Sequence, residues 1–136
     1  MRRAAEEESQ RWLHQAVLDL EDAEFASSGK RYHLACFLAQ QSAEKALKAY
    51  LYYHGTELAW GHSVAELCQD AASFDSDFAG LLETAAPLDK YYIPTRYPNG
   101  LPGGIPSRAF SSADASLAIS AAATVLDFVR DRLGST

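Results

Sequence analysis

Residues 31–54 read RYHLACFLAQQSAEKALKAYLYYH, and this stretch decides the fold. Alanine and larger apolar residues fill most of it, and neither glycine nor proline interrupts it before Gly55. Alanine and leucine are strong helix formers, and a helix that is apolar on more than one side packs inside a bundle. The stretch therefore predicts a long central helix from Tyr32 to about His54.

The rest of the chain is also typical of an all-α protein. Alanine and leucine together number 40, whereas valine and isoleucine, which favour strands, number 7. Breaker residues divide the remaining chain into further helical segments. The other predicted helices are 4–28, 64–73, 76–92 with a kink or break at Pro87, and a last helix from Ser111 or Ser112 to Leu133. The spacing of Ser63 and Glu66 predicts a capping box at the start of the helix over 64–73. Together these elements predict an up-and-down bundle of four or five helices.

The chain has 136 residues, which is a common length for one domain. We therefore expect residues 1–136 to form a single helical domain. Residues 93–110 contain four of the five prolines and three of the eight glycines, so they predict one long loop before the last helix. Loops of this length inside small domains are uncommon and are often functional.

The formal net charge is −6, and it is unevenly distributed. Residues 51–88 contain six acidic residues and neither lysine nor arginine, so the whole excess lies in this segment. An acidic chain is poorly suited to broad, sequence-independent duplex binding, which needs a basic face with many phosphate contacts. A small phosphate site built from the near-neutral flanking segments remains compatible with this distribution.

The two cysteines, Cys36 and Cys68, lie in apolar helical segments, so we expect two reduced, buried thiols. A disulfide between them is the alternative. Charged residues follow Met1, and no stretch approaches 18 uninterrupted apolar residues. These features predict a cytoplasmic protein without a signal peptide or a membrane span. Because motifs for zinc, phosphate loops and hydrolase nucleophiles are missing, the sequence predicts no cofactor, no metal and no catalytic residue.

Two polar groups are candidates for ligand binding. One lies on the central helix, where Gln41 and Lys45 are spaced four residues apart, as are Glu44 and Lys48. The other lies around the start of the 93–110 loop. The candidate ligand-binding residues are Gln41, Glu44, Lys45, Lys48, His62, Tyr92, Arg96 and Tyr97. Cationic side chains can neutralise a phosphate, tyrosines can stack on a base or donate a hydrogen bond, and Gln41 and Glu44 can orient them.

A structural interpretation of the same residues is also open. In it, the helical polar residues form a solvated ridge, the tyrosines cover one end of the bundle, and Arg96 is paired with an acid such as Asp89 or Glu66. His62, next to the Ser63 cap, then makes only a local hydrogen bond. A histidine near neutral pH can equally serve as a proton donor or acceptor, so both roles stay open.

The order of three short motifs resembles the HEPN domain family, named for higher eukaryotes and prokaryotes nucleotide-binding. The motifs are Gln41-Ser42-Ala43-Glu44-Lys45-Ala46-Leu47-Lys48-Ala49, Gly61-His62-Ser63-Val64-Ala65-Glu66-Leu67 and Tyr92-x3-Arg96-Tyr97-Pro98. The resemblance covers about residues 8–132. It implies a bundle of four long helices with a short extra one, in a homodimer that binds a nucleotide or other phosphate ligand or pairs with a minimal nucleotidyltransferase, as in a toxin–antitoxin pair.

Many family members are metal-independent ribonucleases that carry an arginine followed, after four to six residues, by a histidine. This sequence departs from that pattern, because all four histidines precede Arg96 and none follows an arginine at that spacing. The resemblance therefore implies a non-catalytic HEPN module. Two alternatives remain: a divergent metal-independent endoribonuclease that uses His62, with RNA as its ligand, and a purely structural interaction protein.

Overall fold

The computed structural model describes residues 2–134, and these residues form an all-α bundle. Within them, six α-helices follow one another, joined in places by short 3₁₀ segments. They are α1 (Arg2–Ser28), α2 (Tyr32–Tyr53), α3 (Val64–Ala72), α4 (Leu82–Ala85), α5 (Pro106–Ala109) and α6 (Ser112–Leu133). The all-α class, the two long N-terminal helices and the last helix are confirmed within one or two residues of their predicted ends.

Helix α2 is the centre of the bundle, because α1, α3 and α6 all pack against it. Most of its positions are buried, and many of these are alanines, for example Ala35, Ala39, Ala43 and Ala46. Small side chains let helices approach closely, so the core depends on tight helix–helix contact more than on large apolar side chains. This packing also buries several polar side chains of α2, among them Glu44.

The segment 76–92 differs from the single kinked helix that its sequence predicts. It consists of a 3₁₀ segment Ser76–Leu81, the short α4, and a second 3₁₀ segment Ala86–Tyr91. Pro87 is the second residue of the last segment, where a missing N–H costs little. Phe78, Leu81, Ala85 and Leu88 are buried and Leu82 is half-buried, so the apolar residues of the segment face the core although the helix type changes.

Side-chain caps define the starts of α3 and α6. The Ser63 hydroxyl accepts a hydrogen bond from the Glu66 amide, as the sequence predicts. The carboxylate that completes this cap comes from Asp89, which accepts from the Val64 amide and from the Ser63 hydroxyl. A full capping box instead begins α6, between Ser111 and Asp114.

The proline-rich loop, residues 93–110, follows a defined path with a 3₁₀ turn at Pro98–Gly100 and the four-residue α5. A Cβ atom added at Gly100 would lie 3.0 Å from the Cα of Pro94, so a side chain there would force the two backbone segments apart by a few tenths of an ångström. Thr95 is buried and its hydroxyl donates to the carbonyl of Tyr91. The loop is therefore folded back on itself and on the end of the bundle.

Among residues 2–134, α6 is the one helix that is long and apolar enough, by length and composition, to cross a membrane. Core helices of soluble proteins satisfy the same criterion, so it is weak support for a membrane span. Only 33% of the apolar window of α6 is buried within this chain, and Leu117 on it is 69% exposed. Part of the outer face of α6 is thus uncovered.

Candidate functional site

The buried carboxylate of Glu44 is the centre of a polar cluster on α2. It accepts hydrogen bonds from Gln40 Nε2 and Gln41 Nε2, each at 3.2 Å, and from Lys48 Nζ at 3.1 Å. His62 Nδ1 lies 3.2 Å from the same carboxylate. A buried charge is tolerated only when it is paired and hydrogen-bonded, and Glu44 meets this condition with four donors.

Lys48 is buried to a similar degree, since its side chain is 7% exposed and that of Glu44 is 4% exposed. Its ammonium lies 5.5 Å from the centre of the Trp12 ring on α1. The ion pair and the ring face together stabilise the ammonium where water is largely excluded. Lys48 therefore links the polar cluster to α1 and has a structural role in addition to its charge.

His62 connects the buried carboxylate to the surface. Gln40 Nε2 donates to the His62 carbonyl at 2.9 Å, which positions the backbone of the loop. The side chain of His62 is 55% exposed, and its ring stacks on Tyr92 at a centroid distance of 4.5 Å. Because a carboxylate only accepts, we assign the Nδ1 proton to the bond with Glu44. In the neutral ring, Nε2 is then the acceptor.

Arg96 lies on three aromatic rings at the start of the proline-rich loop. Its guanidinium carbon is 4.5 Å from the ring centres of Phe37 and Tyr92 and 5.0 Å from that of Tyr97. Its Nε donates to the Tyr92 carbonyl at 2.8 Å, and no carboxylate of residues 2–134 forms an ion pair with it. The guanidinium is thus held in place by ring faces and one backbone carbonyl.

The acids considered as partners for Arg96 have other contacts. Asp89 caps α3, and among residues 2–134 neither the Asp89 nor the Glu66 carboxylate forms an ion pair with Arg96. Pairing of Arg96 with Asp89 or Glu66 is therefore wrong as an account of this residue. The tyrosines do lie at one end of the bundle, as that interpretation expects, but Tyr97 is 50% exposed.

Lys45 is separate from the Glu44 cluster. Its ammonium lies 2.6 Å from the buried Asp19 carboxylate of α1, which also accepts from Gln15 at 2.8 Å. Its position on the helix turns it toward α1 rather than toward His62. Of the eight candidate residues, seven thus share one continuous set of contacts from Lys48 to Tyr97, and Lys45 lies beside it. We name these seven residues, with Gln40 and Phe37, the Glu44–Arg96 cluster.

Several residues of this region were absent from the sequence-based candidates. They are Gln40 and Phe37, which contact Glu44 and Arg96, and Trp12, Asp19 and Asp89, which hold the surroundings. Gln40 had a local signal, because it is four residues before Glu44 on one helix. The contact of Phe37 with Arg96 joins distant parts of the chain, and no local spacing indicates it.

Among residues 2–134, no group of three or more His, Cys, Asp or Glu side chains is arranged to hold a metal ion. The chemistry available in the cluster is therefore that of a fixed guanidinium, stacked aromatic rings and a histidine hydrogen-bonded to a carboxylate. These groups suit an anionic ligand with a planar portion.

An all-α bundle with these motifs defines a HEPN-type domain, and the comparisons with known proteins agree. The sequence profile of the HEPN domain matches residues 9–132. The chain belongs to the HEPN family. None of the curated proteins matches it.

Three solved structures are similar over nearly the whole chain. TT1696 from Thermus thermophilus has 41% identity and a TM-score of 0.85, over 90% of this chain and 96% of that one. ST0689, an archaeal HEPN homologue, has 40% identity and a TM-score of 0.76, over 91% and 96%. A HEPN domain protein from Thermotoga maritima, TM0613, has 31% identity and a TM-score of 0.73, over 93% and 99%.

Proposed function

We propose that this chain is a non-catalytic HEPN module that binds a nucleotide or another phosphate-bearing ligand at the Glu44–Arg96 cluster. The observation that carries the proposal is the Arg96 guanidinium, which lies on three aromatic rings and forms no ion pair with residues 2–134. An arginine that served only the fold would be expected to pair with a carboxylate, and acids are plentiful in this chain.

The geometry of Arg96 favours recognition of a phosphate. Guanidinium groups present a planar fork that matches two phosphate oxygens, and such charge-assisted hydrogen bonds are strong. Stacking on Phe37 and Tyr92 restricts the plane of the fork, so less side-chain entropy is lost when a ligand binds. The exposed imidazole of His62, on the same Tyr92 ring, adds a second group that can hydrogen-bond an anion.

Calorimetry with ATP, GTP and short RNAs tests this proposal. Wild type is expected to bind at least one of these ligands, and Arg96→Ala is expected to weaken it by about tenfold or more. Arg96→Lys keeps the charge but loses the fork, so intermediate binding is expected. Arg130→Ala, on α6, is the matched control. Equal, negligible binding by wild type and Arg96→Ala overturns the ligand proposal, and a lowered melting temperature of Arg96→Ala in that case supports a purely structural role.

We further propose that the module is a homodimer through the outer face of α6. Ile119, Phe128 and Leu133 pack partly against the core of their own chain, but Leu117 remains 69% exposed. An apolar helix with one uncovered side is a common dimer surface, and the small residues around Leu117 permit close approach of a second helix.

A protein partner of the minimal nucleotidyltransferase class is also proposed, in a toxin–antitoxin-like pair that we expect in the cytoplasm. Leu58, Trp60 and Phe74 are exposed around a cleft of about 350 Å³, in the segment that lacks basic residues. This combination favours a partner surface with apolar anchors and basic residues. Purification of the native complex tests it, with Trp60→Ala expected to release the partner while Phe25→Ala, at an equally exposed ring, retains it.

One observation favours a second function, a divergent metal-independent endoribonuclease. His62 is hydrogen-bonded to a buried carboxylate, and both His62 and Arg96 contact the ring of Tyr92 at 4.5 Å. A carboxylate-oriented histidine near an arginine is an arrangement that can move a proton beside a phosphate. Cleavage of RNA in the presence of a metal chelator, lost in His62→Ala, is the expected result for this function. Intact RNA under excess protein rules it out.

A further inference from the structure

A cleft beside Arg96 has not been described so far. It lies between the N-terminal part of α2 and the proline-rich loop, and its volume is about 420 Å³. Its lining includes Leu34, Phe37, Arg96, Pro98, Pro106 and Ser107. Small-molecule sites have volumes of roughly 300–1,000 Å³, so the cleft is large enough for one ring system with a sugar.

The walls of this cleft are mainly apolar. Leu34 is 42% exposed although it is a large aliphatic residue, and the rings of Phe37, Pro98 and Pro106 supply further flat, apolar surface. The polar residues of the lining are four: Arg96, the exposed Ser107, the buried Thr95 and His33. The buried Nδ1 of His33 has no hydrogen-bond partner among the described residues. A pocket with apolar walls and a small number of placed polar groups is typical of binding sites for planar organic ligands.

The cleft is preformed by the fold of the loop. The Arg96 and Tyr97 amides both donate to the Ile93 carbonyl, at 3.0 and 3.2 Å, and Thr95 is anchored in the core. Gly100 packs closely against Pro94, since a Cβ atom there would lie 3.0 Å from the Cα of Pro94. Arg96 therefore lines the cleft and also contacts the ring of Tyr92, on which His62 stacks.

From this geometry we propose that the ligand is a nucleoside monophosphate whose base occupies the cleft while Arg96 binds its phosphate. The inference rests on the proposed function, because it needs Arg96 as the phosphate-binding group. It goes further by naming the second recognition element, an apolar slot for a planar ring. Apolar contact of one base with such walls adds at least about tenfold in affinity over the sugar phosphate alone.

Titration with AMP, ribose 5-phosphate and inorganic phosphate, followed by calorimetry and amide chemical shifts, tests the inference. Wild type is expected to bind AMP at least about tenfold more tightly than ribose 5-phosphate, with the largest shifts at Phe37 and Ser107. Ser107→Phe fills the cleft from an exposed position and is expected to reduce AMP binding to the level of ribose 5-phosphate. Ser76→Phe, on the exposed start of the first 3₁₀ segment, is the matched control.

The possible outcomes separate the cleft from the phosphate site. Equal affinity for AMP and ribose 5-phosphate, or unchanged AMP binding in Ser107→Phe, overturns the cleft proposal while Arg96-dependent phosphate binding still stands. Loss of all three ligands in Arg96→Ala together with selective loss of AMP in Ser107→Phe supports both. Absence of binding by all three ligands in wild type overturns the phosphate site and the cleft proposal with it.

Discussion

The Glu44 carboxylate lies 3.2 Å from Nδ1 of His62, although Glu44 is buried in the central helix and His62 is on an exposed loop. This contact joins the packed core to the surface on which Tyr92 and Arg96 lie. Through it, the position of a surface histidine depends on a buried ion pair, and a change at Glu44 alters both stability and the candidate site.

Substitution of Glu44 by glutamine is expected to lower the free energy of unfolding by about 3–5 kcal/mol, because it leaves the buried Lys48 ammonium without its counter-charge. Urea denaturation measures this loss. The double variant Glu44→Gln, Lys48→Met removes the stranded charge and is expected to recover part of the stability. A double variant that is less stable than Glu44→Gln alone contradicts the account of Lys48 as a partner that depends on Glu44.

Replacement of Asp89 by alanine is expected to cost about 0.5–2 kcal/mol, the usual range for loss of a helix N-terminal cap. Asp89 accepts from the Ser63 hydroxyl and the Val64 amide, so faster hydrogen exchange is expected in the first turn of α3. Asp127→Ala, an exposed change on α6, is expected to have little effect on stability. Unchanged exchange at α3 in Asp89→Ala would show that Ser63 alone is sufficient for the cap.

The exposed Leu117 on α6 leads to a prediction about oligomeric state. Leu117→Glu places a charge on the proposed dimer face and is expected to give a monomeric mass by light scattering at tens of micromolar, where wild type is dimeric. Phe25→Glu, at a ring that is 80% exposed on α1, is the control and is expected to remain dimeric. A monomeric wild type under these conditions contradicts the proposal.

Both thiols should be unreactive in the folded protein. Burial, with a smaller effect of the Asp114 charge, raises the pKa of the Cys36 thiol to about 12, and burial raises the pKa of Cys68. The thiolate is the reactive form of cysteine. Because both pKa values are raised, almost no thiolate is present at neutral pH. A chromogenic disulfide reagent is expected to label both cysteines only after denaturant is added. Rapid labelling of the native protein would contradict the burial of these residues.

The pairing of Asp75 with Arg132 predicts a pH-dependent contribution to stability. A hydrogen bond from the Asp77 amide, together with Arg132, holds the pKa of Asp75 below its ordinary value of 3.8. A carboxyl group with a lowered pKa stabilises the fold above that ordinary value, and the contribution is lost as the pH falls through the folded-state pKa. Arg132→Ala is therefore expected to lower the urea midpoint at pH 7 and to differ less from wild type near pH 3. A difference from wild type that grows toward low pH would contradict this sign, and Arg130→Ala is the matched control.

Local sequence patterns were sufficient to predict the bounds of the long helices. The apolar run over 31–54 predicted α2 almost to the residue, and Gly134, in the left-handed region at φ 69°, ends α6 as expected. For the segment 76–92, the prediction of a helix with a kink or break at Pro87 was wrong in helix type, because most of the segment is 3₁₀. It is short and is held by the caps and core contacts of neighbouring elements, so tertiary packing overrode helix propensity there.

The candidate site could be predicted only in part from the sequence. Glu44, Lys48 and His62 were chosen from spacing and from family motifs, and their mutual contacts follow from the helix period and the short α2–α3 loop. The different partners of Lys45 and Lys48, which are three positions apart, could not be predicted from the sequence, since they depend on how α1 lies against α2. Asp19 of α1 is likewise buried against Lys45, a contact between residues 26 positions apart.

The sequence by itself determined the all-α fold, because alanine-rich periodicity and the positions of glycine and proline act over a few helical turns. The order of its three motifs carried the resemblance to the HEPN family, which the profile match over residues 9–132 confirms. Only the tertiary structure decided that Arg96 lies on Phe37 and Tyr92 without an acidic partner among residues 2–134, and that a cleft opens beside it. The physical reason is the distance along the chain over which each interaction acts. Helix formation depends on neighbours within about four residues, whereas the surroundings of a side chain depend on which distant segments pack against it.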